Sequence, residues 1–213
     1  MRQKCTILIC RGHIKFNLGS IFSILHVFLN FFIFVCMRAL HRPKYTVSDY
    51  NLWEGQWELI DGIPYAMSPS PIFNHQWFAN CISAEIIFAF RNQKKTCKDC
   101  KVVQDVDWII NESMVLKPDV AIVCHQKSKF ITTVPVLVIE TLSPSTALKD
   151  RHTKYEIYEE QGVKYYIIAD AEAKTYQTHI LVNGKYEEQD IKEFTIHEGC
   201  TIALDIAQIM QEL

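Results

Sequence analysis

Four side chains in this sequence have types and spacing that could do chemistry together. "KPDVAIVC" (117–124) sets Asp119 at the start of an apolar strand, and "VPVLVIETLSPST" (134–146) sets Glu140 where a second apolar run stops. The short connection between the two strands permits antiparallel neighbours, which would bring the two acids side by side. Burying two bare carboxylates is very costly unless something compensates. A divalent cation is the simplest compensation, and magnesium commonly takes one or two protein carboxylates and keeps waters and substrate phosphate. For either acid alone a wet strand end is account enough; the pair is what points to a metal.

Lys154 follows on the helix predicted over Ala147–Gln161. Ala147, Asp150, Lys154, Ile157, Tyr158 and Gln161 share one stripe of that helix, so Lys154 leans towards the Asp119–Glu140 end. An ammonium there could orient a water or stabilise a phosphorane-like transition state. The plainer reading is a surface Asp150–Lys154 pair. Glu58 lies in the hairpin "WELIDGIPYAM", on the face opposite to Trp57 and Leu59, where a cross-strand polar contact is the alternative role. Glu85, on the apolar stripe of a helix, and His75, at that helix's start, are weaker candidates. Asp105 and Asp107 read as a solvated strand edge.

Those residues need elements to hold them. Tyr45–Glu54 reads as a helix capped by Thr46, and Asp61-Gly62 as a type I′ hairpin turn. Asn74 caps a helix to Asn92 with Phe78, Cys81, Ile82, Ile86 and Ala89 on its apolar stripe. Strands are expected over Val102–Ile110, Lys117–Cys124, Val136–Thr141 and "VKYYIIAD". A hairpin turns at Asn183-Gly184, and Ile202–Leu213 reads as a terminal helix. The order predicts an α/β domain with a mixed sheet.

Composition narrows the function. Residues 1–40 hold Arg2, Lys4, Arg11, Lys15 and Arg38 and no acid, which leaves 17 of the 22 basic residues beyond them against all 24 acids. An acidic domain is not a non-specific DNA binder, because phosphate affinity comes from Lys and Arg; any nucleic-acid role must come from a local arrangement. The eight cysteines show no disulfide framework, so reduced thiols and a cytoplasmic location are expected. Cys97-Lys-Asp-Cys100 has no second pair at zinc spacing. Phe16–Met37 carries no Asp, Glu, Lys or Arg and is long enough to span a bilayer. Either residues 1–40 are a membrane anchor, or translation starts at Met37, ahead of a domain over 41–213.

"YTVSDYNLWEGQWELIDGIPYAMSPSPIFNHQ", "KPDVAIVC", "VLVIETLSPSTALKDRHTKYEIYEEQGVKYYIIAD" and the "NGKY" hairpin resemble the Uma family of restriction-endonuclease-like proteins, in the PD-(D/E)XK nuclease superfamily. The likeness runs from Tyr45 to the C-terminus and favours Met37 as the start. It implies a restriction-endonuclease-like mixed sheet flanked by helices, with the hydrophobic N-terminal segment outside it. It further implies hydrolysis of phosphodiester bonds, in DNA, dependent on Mg2+ or Mn2+. Asp119 matches the acid of the PD motif and Glu140 the second acid; these two would hold the metal. The superfamily's lysine stands two residues after that acid, where this chain has Leu142, and Lys154 takes the matching place on the helix. Glu58 matches the family's hairpin glutamate. Leu142 and the acidic surface keep open a second function, a catalytically inactive nuclease-fold module for binding or assembly. Paired cutting would favour a homodimer, and a membrane partner follows only if residues 16–37 are an anchor.

Overall fold

The computed structural model describes residues 43–67, 72–93, 96–143 and 149–213. The segment 16–37 lies outside them. The chain divides into two compact units, Met1–Pro43 and Lys44–Leu213, and the elements below belong to the second. No helix among the described residues is long and apolar enough to cross a membrane.

The first elements are α1 (Val47–Tyr50), β1 (Trp57–Ile60) and β2 (Ile63–Ala66). Thr46 and Asp49 form a capping box, but the helix is one turn long where a longer one was expected. The β1–β2 turn has the two left-handed residues that type I′ demands, Asp61 at φ 51° and Gly62 at φ 76°. A Cβ on Gly62 would also stand 3.0 Å from Lys44 Cβ and 3.1 Å from the Tyr45 carbonyl oxygen, so glycine is required there twice over. Helix α2 (Phe73–Asn92) begins before Asn74, which therefore does not cap it. Its amide instead donates to Glu172 at 3.0 Å.

One expected strand is divided and another is shortened. The run 102–110 becomes β3 (Cys100–Val103) and β4 (Trp108–Asn111), parted where Asp105 takes φ 52°. The strand expected over 117–124 starts late, as β6 (Val120–Cys124); Lys117-Pro118-Asp119 separates it from an unexpected β5 (Met114–Leu116), where the proline has no N–H for a ladder. Next come β7 (Leu137–Thr141), a π-helical turn (Lys149–Lys154) that passes directly into α3 (Tyr155–Gln161), and β8 (Tyr165–Asp170). Gly162 ends α3 at φ 84°. Strands β9 (Thr175–Val182) and β10 (Lys185–Glu188) meet at Asn183-Gly184 as expected. The C-terminus differs: β11 (Glu193–His197) and β12 (Cys200–Ala203) precede α4 (Ile206–Gln211), which Asp205 caps through the Gln208 N–H.

The single expected sheet is three sheets, ordered β2-β1-β5-β4, β10-β9-β8-β7-β6-β3 and β11-β12. Within the six-stranded sheet β7 and β8 are parallel, joined by the π turn and α3, and the other pairs are antiparallel. Side chains alternate along β7. Leu137 and Ile139 join the core formed with Phe78, Ile82 and Ile86 of α2, whereas Val138 joins the core formed with Trp108, Leu116, Ile157 and Tyr158. Glu140 falls on the second face, under α3.

The cysteine expectation is corrected. Cys97 is bonded to Cys200 and Cys100 to Cys124, with Cys81 free among the described residues. The register of β3 on β6 puts Cys100 directly opposite Cys124, a placement that no sequence spacing announces. The cytoplasmic expectation loses the support it drew from reduced thiols. The Cys97–Cys200 bond spans 103 residues, so Cys97→Ser with Cys200→Ser is expected to cost about 2–5 kcal/mol of stability, measured by urea unfolding without reductant. An unchanged midpoint would mean the bond does not form in solution.

Candidate active site

Strands β6 and β7 run antiparallel with Val120 opposite Ile139, and one further step of that register sets Asp119 opposite Glu140. Asp119 acts on Glu140 electrostatically. Asp119 Oδ2 accepts the Thr141 N–H at 2.7 Å and stands 3.1 Å from His75 Nε2. His75 thus enters the site from the start of α2. Burial opposes its charged form, but the hydrogen bond and charge of Asp119, with Asp105 adding, outweigh this and raise its pKa.

Glu140 is 2% exposed. Its Oε1 accepts from Lys154 Nζ at 2.8 Å and from the Tyr158 hydroxyl at 2.6 Å. Lys154 is therefore no surface residue. Its ammonium, buried with Glu140, also stands 3.0 Å from Glu58 Oε1 and 3.5 Å from Asp150 Oδ1. Glu58 is fully buried; it accepts the Lys117 N–H at 3.0 Å and pairs through Oε2 with Lys149. The structure thus joins Glu58, Glu140 and Lys154 by direct contact, while Asp119 contacts Thr141 and His75 and acts on Glu140 electrostatically. It adds Lys149, Asp150, Tyr158 and His75.

Burial pushes the Glu140 carboxyl well above the usual carboxylate range; Lys154 pulls it partly back, while Asp119, Asp150 and Glu58 add to the push. For Glu58 burial pushes the same way, but Lys154 and Lys149 win and hold it low. Lys154 is held well above its ordinary value: burial disfavours its charge, and Glu140 and Glu58 more than compensate.

Glu85 is exposed and lies with Cys81, Asp205 and Glu212 between α2 and α4, outside this cluster. Asp107 is no solvated edge, because it pairs with Lys117 at 2.7 Å. Lys149 was missed because helical periodicity was read at 3.6 residues per turn, where residues five apart diverge by about 140°. A π turn closes from i to i+5, and Lys149 and Lys154 both reach Glu58. Leu142, at the place of the superfamily's lysine, is buried in the core on the α3 side.

Lys154→Met would leave Glu58 and Glu140 buried without their shared cation. The expected loss is about 3–5 kcal/mol in urea unfolding. Adding Glu58→Gln and Glu140→Gln should return most of it, and a Lys154→Met protein as stable as wild type would contradict the coupling.

Residues 47–204 match the family model Uma2, "Putative restriction endonuclease". A curated relative, the uncharacterized protein slr1290 of Synechocystis sp., is 34% identical over 125 residues, 54% of this chain and 63% of that protein. The match thus spans less than two thirds of the relative's own length. Among solved structures, a "putative nuclease belonging to DUF820" from Anabaena variabilis superposes with a TM-score of 0.62 at 13% identity, over 78% of this chain and 97% of that one; at that identity the likeness shows the fold, a mixed α/β arrangement with several sheets. With the model covering most of the described domain, the chain belongs to the Uma2 family of restriction-endonuclease-like proteins.

Proposed function

We propose that this chain is a metal-dependent endonuclease that hydrolyses phosphodiester bonds in DNA, on a restriction-endonuclease-like core, with Mg2+ or Mn2+ held by Asp119 and Glu140. The observation that carries the reading is the β6–β7 register, which, continued by one residue, would bring these two acids level with each other in a chain of this family. The donor chemistry fits a hard cation. Among the described residues the hydrogen bonds to Glu140 fall on Oε1 and the contacts of Asp119 on Oδ2, so the second oxygen of each acid is the one that would take a ligand. No cage of three or more His, Cys, Asp or Glu side chains is gathered among the described residues, and magnesium does not need one.

When bound, the ion supplies charge neutralisation at the scissile phosphate and a lowered pKa for water. The chain's own residues supply position. The Thr141 N–H and His75 hold Asp119; Tyr158 and Lys154 hold Glu140; Glu58 holds both lysines in turn. Cutting both strands with one such site per chain calls for two copies of the protein.

Plasmid cleavage with magnesium or manganese is the test. Asp119→Asn and Glu140→Gln should each lower the rate by more than about 100-fold, beyond the loss caused by an outer partner of a metal, and chelation should abolish it. Equal rates for all three proteins would reject the site. DNA bound but left uncut with either ion would favour the alternative, a nuclease-fold binding module.

A further inference from the structure

The two lysines of the cluster are not equivalent. An ammonium has three N–H donors, and Lys154 faces three carboxylates, Glu140, Glu58 and Asp150, with its side chain 2% exposed. A substrate oxygen could reach it only by displacing one of them. Among the described residues Lys149 is paired with Glu58, and its side chain is 16% exposed. Its Nζ lies 5.9 Å from the centre of the Tyr65 ring, within cation–π range. Tyr65 is 37% exposed and stands directly opposite Glu58 in the β1–β2 register. Lys149 and Tyr65 therefore form the outer end of the chain of contacts Lys149–Glu58–Lys154–Glu140, and Lys154 sits inside it.

We propose that Lys149 is the substrate-contacting cation of the site, donating to a non-bridging phosphate oxygen of the bound DNA strand, and that Lys154 is a positioning residue that orders Glu58 and Glu140. The inference rests on the phosphodiester reading above. Geometry favours it because Lys149 keeps donors beyond the one given to Glu58 and has a path to solvent. Charge favours it as well. Acids outnumber basic residues beyond residue 40, so a phosphate needs a cation close to the acids themselves. The Tyr65 ring holds the ammonium at the mouth, where it would otherwise swing into water.

Each phosphate neutralised by a lysine steepens the fall of duplex binding with salt by about 0.9 in log K against log salt concentration. The experiment measures binding of a labelled duplex by anisotropy over a salt series, with calcium in place of magnesium and the duplex verified intact. Lys149→Met should give a slope shallower than wild type by about 0.9 and, in magnesium, raise KM more than it lowers kcat. Lys149→Arg should restore the slope. Lys98→Met, which removes an exposed charge outside the cluster, should keep the wild-type slope. A wild-type slope for Lys149→Met, in a protein that still cuts DNA, overturns this inference and leaves the nuclease reading standing. A wild type that neither binds nor cuts DNA with magnesium or manganese overturns both.

Discussion

One buried ammonium ties this domain together. Lys154 Nζ lies within salt-bridge distance of Glu58, Glu140 and Asp150, which come from β1, β7 and the π turn. An ion taken out of water costs several kcal/mol even after relaxation, and mutual attraction offsets this only when the remaining hydrogen-bonding capacity is filled. Here it is largely filled: Tyr158 donates to Glu140, and the Lys117 N–H and Lys149 serve Glu58. Because the three carboxylates belong to the four-stranded sheet, the six-stranded sheet and the crossover between β7 and β8, a single charge fixes the relation among all three. Ordinary apolar packing could hold these layers together, but it would not specify which carboxylate faces which.

The π turn follows from that demand. The crossover must leave β7 after Glu140 and return over the same face, and the ammonium must come down onto that face. Strand alternation would put a side chain two residues after Glu140 on this side too, but that place is taken by Leu142, buried against the α3-side core. The cation is delivered from the helix instead. A regular α-helix would bring Lys154 alone; the wider turn brings Lys149 to the same glutamate. Widened turns of this kind occur often at functional sites.

What the sequence disclosed, and what it hid, divides along the range of the interaction. The hairpin turns at Asp61-Gly62 and Asn183-Gly184 are local demands on φ, and both were legible. So was β7, whose unbroken Val, Leu and Ile run needs cover on both faces, and so was the antiparallel pairing of β6 with β7, because the strands adjoin in the chain. The division of 102–110 between two sheets was hidden, since each half is a good strand former and only its partners decide. Strand β12 was lost in part to the apolar pattern of the helix expected from Ile202, and β11 was assigned no element. The disulfides join positions 24 and 103 residues apart, and only the folded register brings them together. Lys149 was invisible for a different reason: the wrong helical period turns it away from the site.

The electrostatics of the cluster also bear on how an acidic domain could act on DNA. Glu58, Asp119, Glu140 and Asp150 outnumber Lys149 and Lys154, and the raised carboxyl of Glu140 reflects that crowding after burial itself. Such a surplus repels a phosphate and attracts a small hard cation. On the proposed function the two tendencies impose an order. The acids need their divalent partner before a nucleic-acid strand can settle against them, and Lys149 is the cation at the rim that a strand would meet first. An acidic surface is then compatible with cleavage, because it makes DNA affinity conditional on the metal and suppresses binding elsewhere on the domain.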